Sequence, residues 1–218
     1  MVGCCNAIDS HFGDAHAERD LGSYHKKGPD ATTRFLIQAV YEAKVEDAHL
    51  LDIGAGVGVL QHELLKGPVS FVAHVDASDS YIKTARGECE RRGNSARVKF
   101  VSGDFTDIYP NLDDVDIVLL DRVLCCYPEF RELVTRSVEK SRLLYGISYP
   151  RDHLLARTAF FLDNMKRKIC GNAFRAFVHS NKEVETLITS SGFILENEYH
   201  TLIWRIAVFR KKEDLSSS

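Results

Sequence analysis

Two patterns alternate along the chain. Short apolar runs at residues 50–53, 71–75, 98–101, 117–120 and 143–147, too brief for helices and bounded by polar or turn residues, predict strands. The segments between them space their apolar residues three and four apart, which predicts amphipathic helices. The first helix starts at Asp30 or Thr32 as cap and carries Phe35, Leu36, Ala39, Val40 and Ala43 on one face. Others are expected over 59–66, from a Ser78 or Asp79 cap to about 93, over 129–141, and to about 169 with Leu154, Leu155, Ala159, Phe160 and Leu162. Ser180 to Glu183 matches a capping box and opens a further helix that stops at Gly192. Residues 174–178 form a short apolar run, and 193–199 and 202–209 alternate as two closing strands. This order predicts an α/β protein with a doubly wound, mostly parallel, seven-stranded sheet and a C-terminal antiparallel hairpin. Residues 1–23 are polar and without period and are read as a partly ordered arm. With the helix that follows they make an arm-and-lid segment over 1–47, ahead of a main domain at 48–210 and a charged tail at 211–218.

Composition narrows the function classes. With 218 residues, 44% hydrophobic and 27% charged, the chain can bury a full core of ordinary globular type. A net charge of −3 argues against a nucleic-acid partner held by bulk charge, and no apolar run approaches the ~20 residues of a membrane span. No basic region precedes an apolar one in the first ten residues, so a cytoplasmic location is expected. The six cysteines, Cys4, Cys5, Cys89, Cys125, Cys126 and Cys170, lack C-x-x-C spacing. Free thiols and no bound metal are the expectation. The cluster Arg86, Glu88, Glu90, Arg91 and Arg92 reads as a solvated helix face.

The chemistry concentrates at residues 50–58. An apolar run containing Asp52 leads into Gly54, Gly56 and Gly58, and a helix begins directly after them. Glycines allow positive φ and leave the backbone bare for a ligand at a strand's carboxyl end. Dinucleotide sites favour G-x-G-x-x-G, whereas here the third glycine comes one residue earlier. Asp76 ends the second run, Asp104-Phe105 follows the third, and Asp121-Arg122 closes the fourth. An acid at the end of the second strand suits ribose hydroxyls in either cofactor class.

The glycine turn resembles motif I of the class I S-adenosylmethionine (SAM) dependent methyltransferases, and the three later sites fall in that family's order. The resemblance implies a Rossmann-like methyltransferase fold and SAM as cofactor, with S-adenosylhomocysteine as product. It places Asp52, Gly54, Gly56 and Gly58 at the methionine end, Asp76 with Ala77 at the ribose, and Asp104 with Phe105 at the adenine. Asp121 and Arg122 fall beside the transferable methyl. Read from residue type alone, Arg122 and Lys27 suit the methionine carboxylate, an acidic substrate or a solvated surface equally. The layout is most similar to the magnesium-protoporphyrin O-methyltransferase subgroup, through residues 121–128, through Arg175 to His179, and through Gly192-Phe193. That likeness puts Tyr24 near the subgroup's lid tyrosine and Cys126 where the subgroup has a histidine. Tyr24, His25, Cys126 and Tyr127 are therefore the catalytic candidates, and a small-molecule acceptor is expected. Cys125 and Cys126 also fit two small side chains at the end of a buried strand, or, with Cys4, Cys5 and Cys170, a soft-metalloid site. His62, His74, His153 and His200 read as surface or packing residues, and Trp204 as core. The competing readings are an NAD-type oxidoreductase and a non-catalytic SAM-fold binding protein.

Overall fold

The computed structural model describes residues 13–212. In chain order it holds α1 (Asp14–Lys27), α2 (Ala31–Glu42), β1 (Ala48–Ile53), α3 (Val59–Leu64), β2 (Val69–Asp76), α4 (Asp79–Arg91), β3 (Val98–Ser102), α5 (Phe105–Ile108) and β4 (Val115–Asp121). There follow α6 (Phe130–Glu139), β5 (Ser141–Pro150), α7 (Leu154–Ile169), α8 (Asn181–Ser190), β6 (Phe193–His200) and β7 (Trp204–Lys211). The seven strands form one sheet in the order β3-β2-β1-β4-β5-β7-β6. β1 to β5 pair in parallel, while β7 runs antiparallel between β5 and β6. The strand order reverses between β1 and β4, and beyond their carboxyl ends such sheets open a crevice.

Alternation within the strands sends side chains to two cores. Leu51, Ile53, Val118 and Leu120 pack on one face with Leu133 and Val134 of α6 and Val184 and Ile188 of α8. Leu50, Val72, Ile117 and Leu119 pack on the other with Leu36 and Val40 of α2 and Leu60 and Leu64 of α3. The expected caps are in place: Asp30 accepts from the Thr33 amide, Ser78 from Tyr81 and Ser180 from Glu183.

Several expectations are corrected. Residues 14–23 are helical, not an irregular arm. α1 buries only Ala17 and Tyr24 and is held by polar contacts, Tyr81 Oη to Asp20 at 2.6 Å and Tyr24 Oη to Glu63 at 2.5 Å, which leave no apolar period to detect. After β3 the chain enters the short α5, capped by Asp104, which no apolar period announces. Glu88 is not on a wet surface. It is buried and bound by Arg91 (2.7 Å), Arg92 (2.6 Å) and His25 (3.0 Å), the first two holding its carboxyl far below the usual range. The histidines agree with their reading as packing or surface residues: His62 and His74 are buried, His153 caps α7, and His200 pairs with Glu198. The arm's first twelve residues, with Cys4 and Cys5, and the tail beyond 212 lie outside the described residues.

Candidate active site

Two joined cavities open over the carboxyl ends of β1 and β4. The smaller, about 360 Å³, is polar and runs over the glycine turn between Asp30 and Thr33 of α2 and Asp52 of β1. The larger, about 540 Å³, extends past Asp76, Phe105 and Tyr127 to Phe160, Phe174 and Trp204. Gly54, Gly56, Asp121, Arg122 and Asp20 line both, so the two spaces communicate.

The turn between them depends on its glycines. Gly54, Gly56 and Gly58 all have positive φ, from 58° to 80°. A Cβ on Gly54 would lie 2.5 Å from a Val123 methyl carbon, so this position excludes larger residues on both counts. Asp76 fastens the turn from β2: one oxygen accepts from the Gly56 amide at 2.8 Å and the other from the Ser78 amide at 2.9 Å.

Asp52 sits below this turn, paired in register with His74 and Leu119, and is 1% exposed. Its Oδ2 has no hydrogen-bond partner among the described residues. Burial, followed by the nearby charges of Asp121 and Asp76, pushes its pKa well above the ordinary carboxylate range. A buried carboxylate oxygen without a partner is costly, and its chemistry calls for a cation or a donor.

Asp121 is held from three sides, by Thr33 Oγ1 (2.5 Å), Ser148 Oγ (2.5 Å) and the Arg122 guanidinium (3.6 Å). Arg122 itself is strained into positive φ at 61°, anchored by its amide on Ser148, and reaches Asp30 at 2.6 Å. Burial opposes ionisation of Asp30, but Arg122 and the two threonines keep its carboxyl below the ordinary value. β4, β5 and α2 are thus tied together at the rim by one charged network.

Among the cofactor candidates, Asp104 accepts from the Thr106 amide and hydroxyl at 2.8 Å and from Tyr127 Oη at 3.1 Å, and Phe105 lies buried beside it. Ala77 lines the larger cavity next to Asp76. The catalytic candidates separate. Cys126 and Tyr127 line the larger cavity. Tyr24 reaches the smaller one but gives its hydroxyl to Glu63, and burial, followed by that carboxylate, raises the phenol pKa. His25 lines neither, and its ring is engaged by Glu88 on the far side of α1.

Cys126 stands against its neighbouring thiol. Its Sγ lies 3.9 Å from that of Cys125, and the contact between the thiols, burial and the Cys125 charge push its pKa well above that of a free thiol. It lines the wall as a neutral, polarisable group packed against Phe174 and Ala176. No group of three or more metal-ligating side chains occurs among the described residues.

The rest of the larger cavity comes from parts of the chain to which no site role was given by the sequence. Phe160, Asp163 and Arg167 project from α7, Phe174 and Ala176 from the segment 172–179, and Trp204 from the start of β7. Trp204 is therefore half-buried at a cavity wall, edge-on to Phe160 with ring centres 6.1 Å apart, and not in the core. The 172–179 segment is not a strand. Asn164 clamps it by both ends of its amide, at 2.7 and 2.9 Å to Ala176, and Phe177 donates to the Cys125 carbonyl at 2.8 Å.

Over residues 44–203 the sequence matches the methyltransferase domain family, most of the chain's length. The chain belongs to this family. It is a SAM-dependent methyltransferase, and the NAD-type reading is set aside. No curated protein gives a match. Among solved structures, the methyltransferase is similar to magnesium protoporphyrin IX methyltransferase from Synechocystis, solved with bound SAH, at 16% identity and a TM-score of 0.72, covering 96% of this chain and 100% of that one. The Haloferax volcanii chain solved with the Trm112 methyltransferase activator aligns at 15% identity and a TM-score of 0.68, covering 95% and 98%. The [4+2]-cyclase SpnF aligns at 14% identity and 0.61, covering 82% and 81%. At these identities the likeness is one of fold.

Proposed function

We propose that this methyltransferase holds SAM across the two joined cavities and transfers its methyl to a small-molecule acceptor seated against Phe160, Phe174 and Trp204. The observation that carries the reading is Asp52. A buried carboxylate oxygen without a protein partner, beneath a bare glycine turn, fits the ammonium of a free amino acid end. Asp76 stands at the ribose, and Asp104 with Phe105 at the adenine. Bound there, SAM supplies a methyl already activated on a sulfonium. The residues of this chain then have two tasks, to align the acceptor and to keep water out.

Alignment falls to rigid parts. The charged network around Asp121 fixes the rim, and the Asn164 clamp fixes the wall that carries Phe174 and Ala176. α1 and α2 close the polar end through Asp20, Tyr24, Asp30 and Thr33. The acceptor-side wall is mostly aromatic and apolar, with Cys126 neutral. That favours a compact apolar acceptor over a strand of nucleic acid, which needs a basic groove.

Titration calorimetry with S-adenosylhomocysteine tests the reading. Saturable binding at one site is expected, with Asp76→Ala losing most of the affinity. The absence of any heat with the wild-type chain would sink the assignment of both cavities.

A further inference from the structure

α7 has a face that the active site does not use. Its 16 residues bury only Ala156, although Phe160, Asp163 and Arg167 reach into the large cavity. At about 100° per residue, these four positions gather on one side of the helix. Leu154, Leu155, Phe161, Leu162, Met165 and Ile169 fall on the opposite side, within an arc of roughly 120°. All six are between 46% and 81% exposed. Leu202 lies next to the start of α7, where His153 Nε2 meets the Leu202 carbonyl at 3.1 Å, and is 68% exposed. Isolated exposed leucines are ordinary, but seven large apolar side chains in one patch are not.

Charge indicates what covers the patch. Residues 151–175 carry six basic and two acidic side chains, a local net of +4 in a chain whose net charge is −3. On the helical projection Lys166 borders one edge of the apolar arc, and Arg157 and Lys168 border the other. Both acids are already paired, Asp152 with Arg157 at 2.6 Å and Asp163 with Arg167 at 2.7 Å, which leaves Lys166 and Lys168 to set the field beside the patch. An apolar face bordered on both sides by cations, on a helix too polar overall to cross a bilayer, is the pattern of a helix lying in a lipid interface.

We infer that α7 docks this methyltransferase onto an anionic lipid surface, its outer face among the acyl chains and its lysines at the head groups. The same helix forms a wall of the large cavity, so docking would place the acceptor end of the site beside the lipid.

The test is flotation of the full chain with phosphatidylcholine vesicles made with and without phosphatidylglycerol. Binding to the anionic vesicles, weakened by added salt and nearly absent on pure phosphatidylcholine, is expected. Lys166→Gln with Lys168→Gln should weaken it by roughly thirtyfold, and Phe161→Glu with Leu162→Glu should abolish it. Neither pair lines a cavity, so S-adenosylhomocysteine affinity serves as the fold control and should be unchanged in both. No binding of the wild type to anionic vesicles would overturn the proposal, as would equal binding to both vesicle types. A wild-type dimer in solution that Phe161→Glu with Leu162→Glu converts to monomer would assign the face to a second copy instead. The inference stands apart from the methyl-transfer reading, because vesicle binding and cofactor binding are measured separately.

Discussion

Asp52 shows how one residue couples the fold to the ligand. In the fold its carboxyl is buried near two other acids and holds its proton to a higher pH than in the unfolded chain. The folded state therefore binds the extra proton, and stability falls as pH rises from the ordinary carboxylate range through the raised value. Asp52→Asn removes that slope, so the variant's Tm should exceed wild type at neutral pH while S-adenosylhomocysteine affinity drops by roughly tenfold or more. An ammonium arriving at Oδ2 would expel the proton. The binding heat of the wild type should then differ between buffers of unlike ionisation enthalpy, and that of Asp52→Asn should not. Identical heats in every buffer for the wild type would remove Asp52 from the ammonium site.

At the scale of elements, legibility followed periodicity. The strands and the helices α2, α4, α6 and α8 were readable because each buries an apolar stripe with period two or near three and a half. The glycine turn, Asp76 and Asp104 were readable because strand ends position them in a fixed order. α1 was not, since its hold on the body runs through Asp20, Tyr24 and His25, whose partners Tyr81, Glu63 and Glu88 lie far along the chain. The far wall of the larger cavity escaped for a related reason. Phe160, Phe174 and Trp204 come from three separate segments, and what unites the first two is a clamp by a single asparagine. Asn164→Ala should release the 172–179 segment without unfolding the sheet. Two hydrogen bonds at about 1 kcal/mol each predict amide exchange near Ala176 faster by roughly tenfold or more, with S-adenosylhomocysteine affinity retained. Unchanged exchange there would show that the segment is held by packing alone.

The whole molecule carries a buried polar layer beneath the sheet that should make it sensitive to acid. His74 of β2 is fully buried, with Nδ1 2.9 Å from Gln61 Oε1 and its Nε2 unpartnered among the described residues. His62 lies buried nearby on α3, and burial lowers the two pKa values to about 3 and about 4 respectively. Both rings are neutral in the fold, whereas in the unfolded chain they take up protons near pH 6.5. Below that pH the unfolded state takes up protons on both rings that the fold does not, so the histidines' contribution to stability is complete above about 6.5 and is lost progressively as pH falls toward the folded values. Tm measured from pH 7 to pH 4 should fall steadily. His74→Leu removes one of the two titrating rings, and the pH dependence of its unfolding free energy should be shallower by about one proton in that window. A variant slope equal to wild type would mean that His74 is already protonated in the fold, and the acid sensitivity would then have to come from the ion-paired carboxylates, the buried Glu88 foremost.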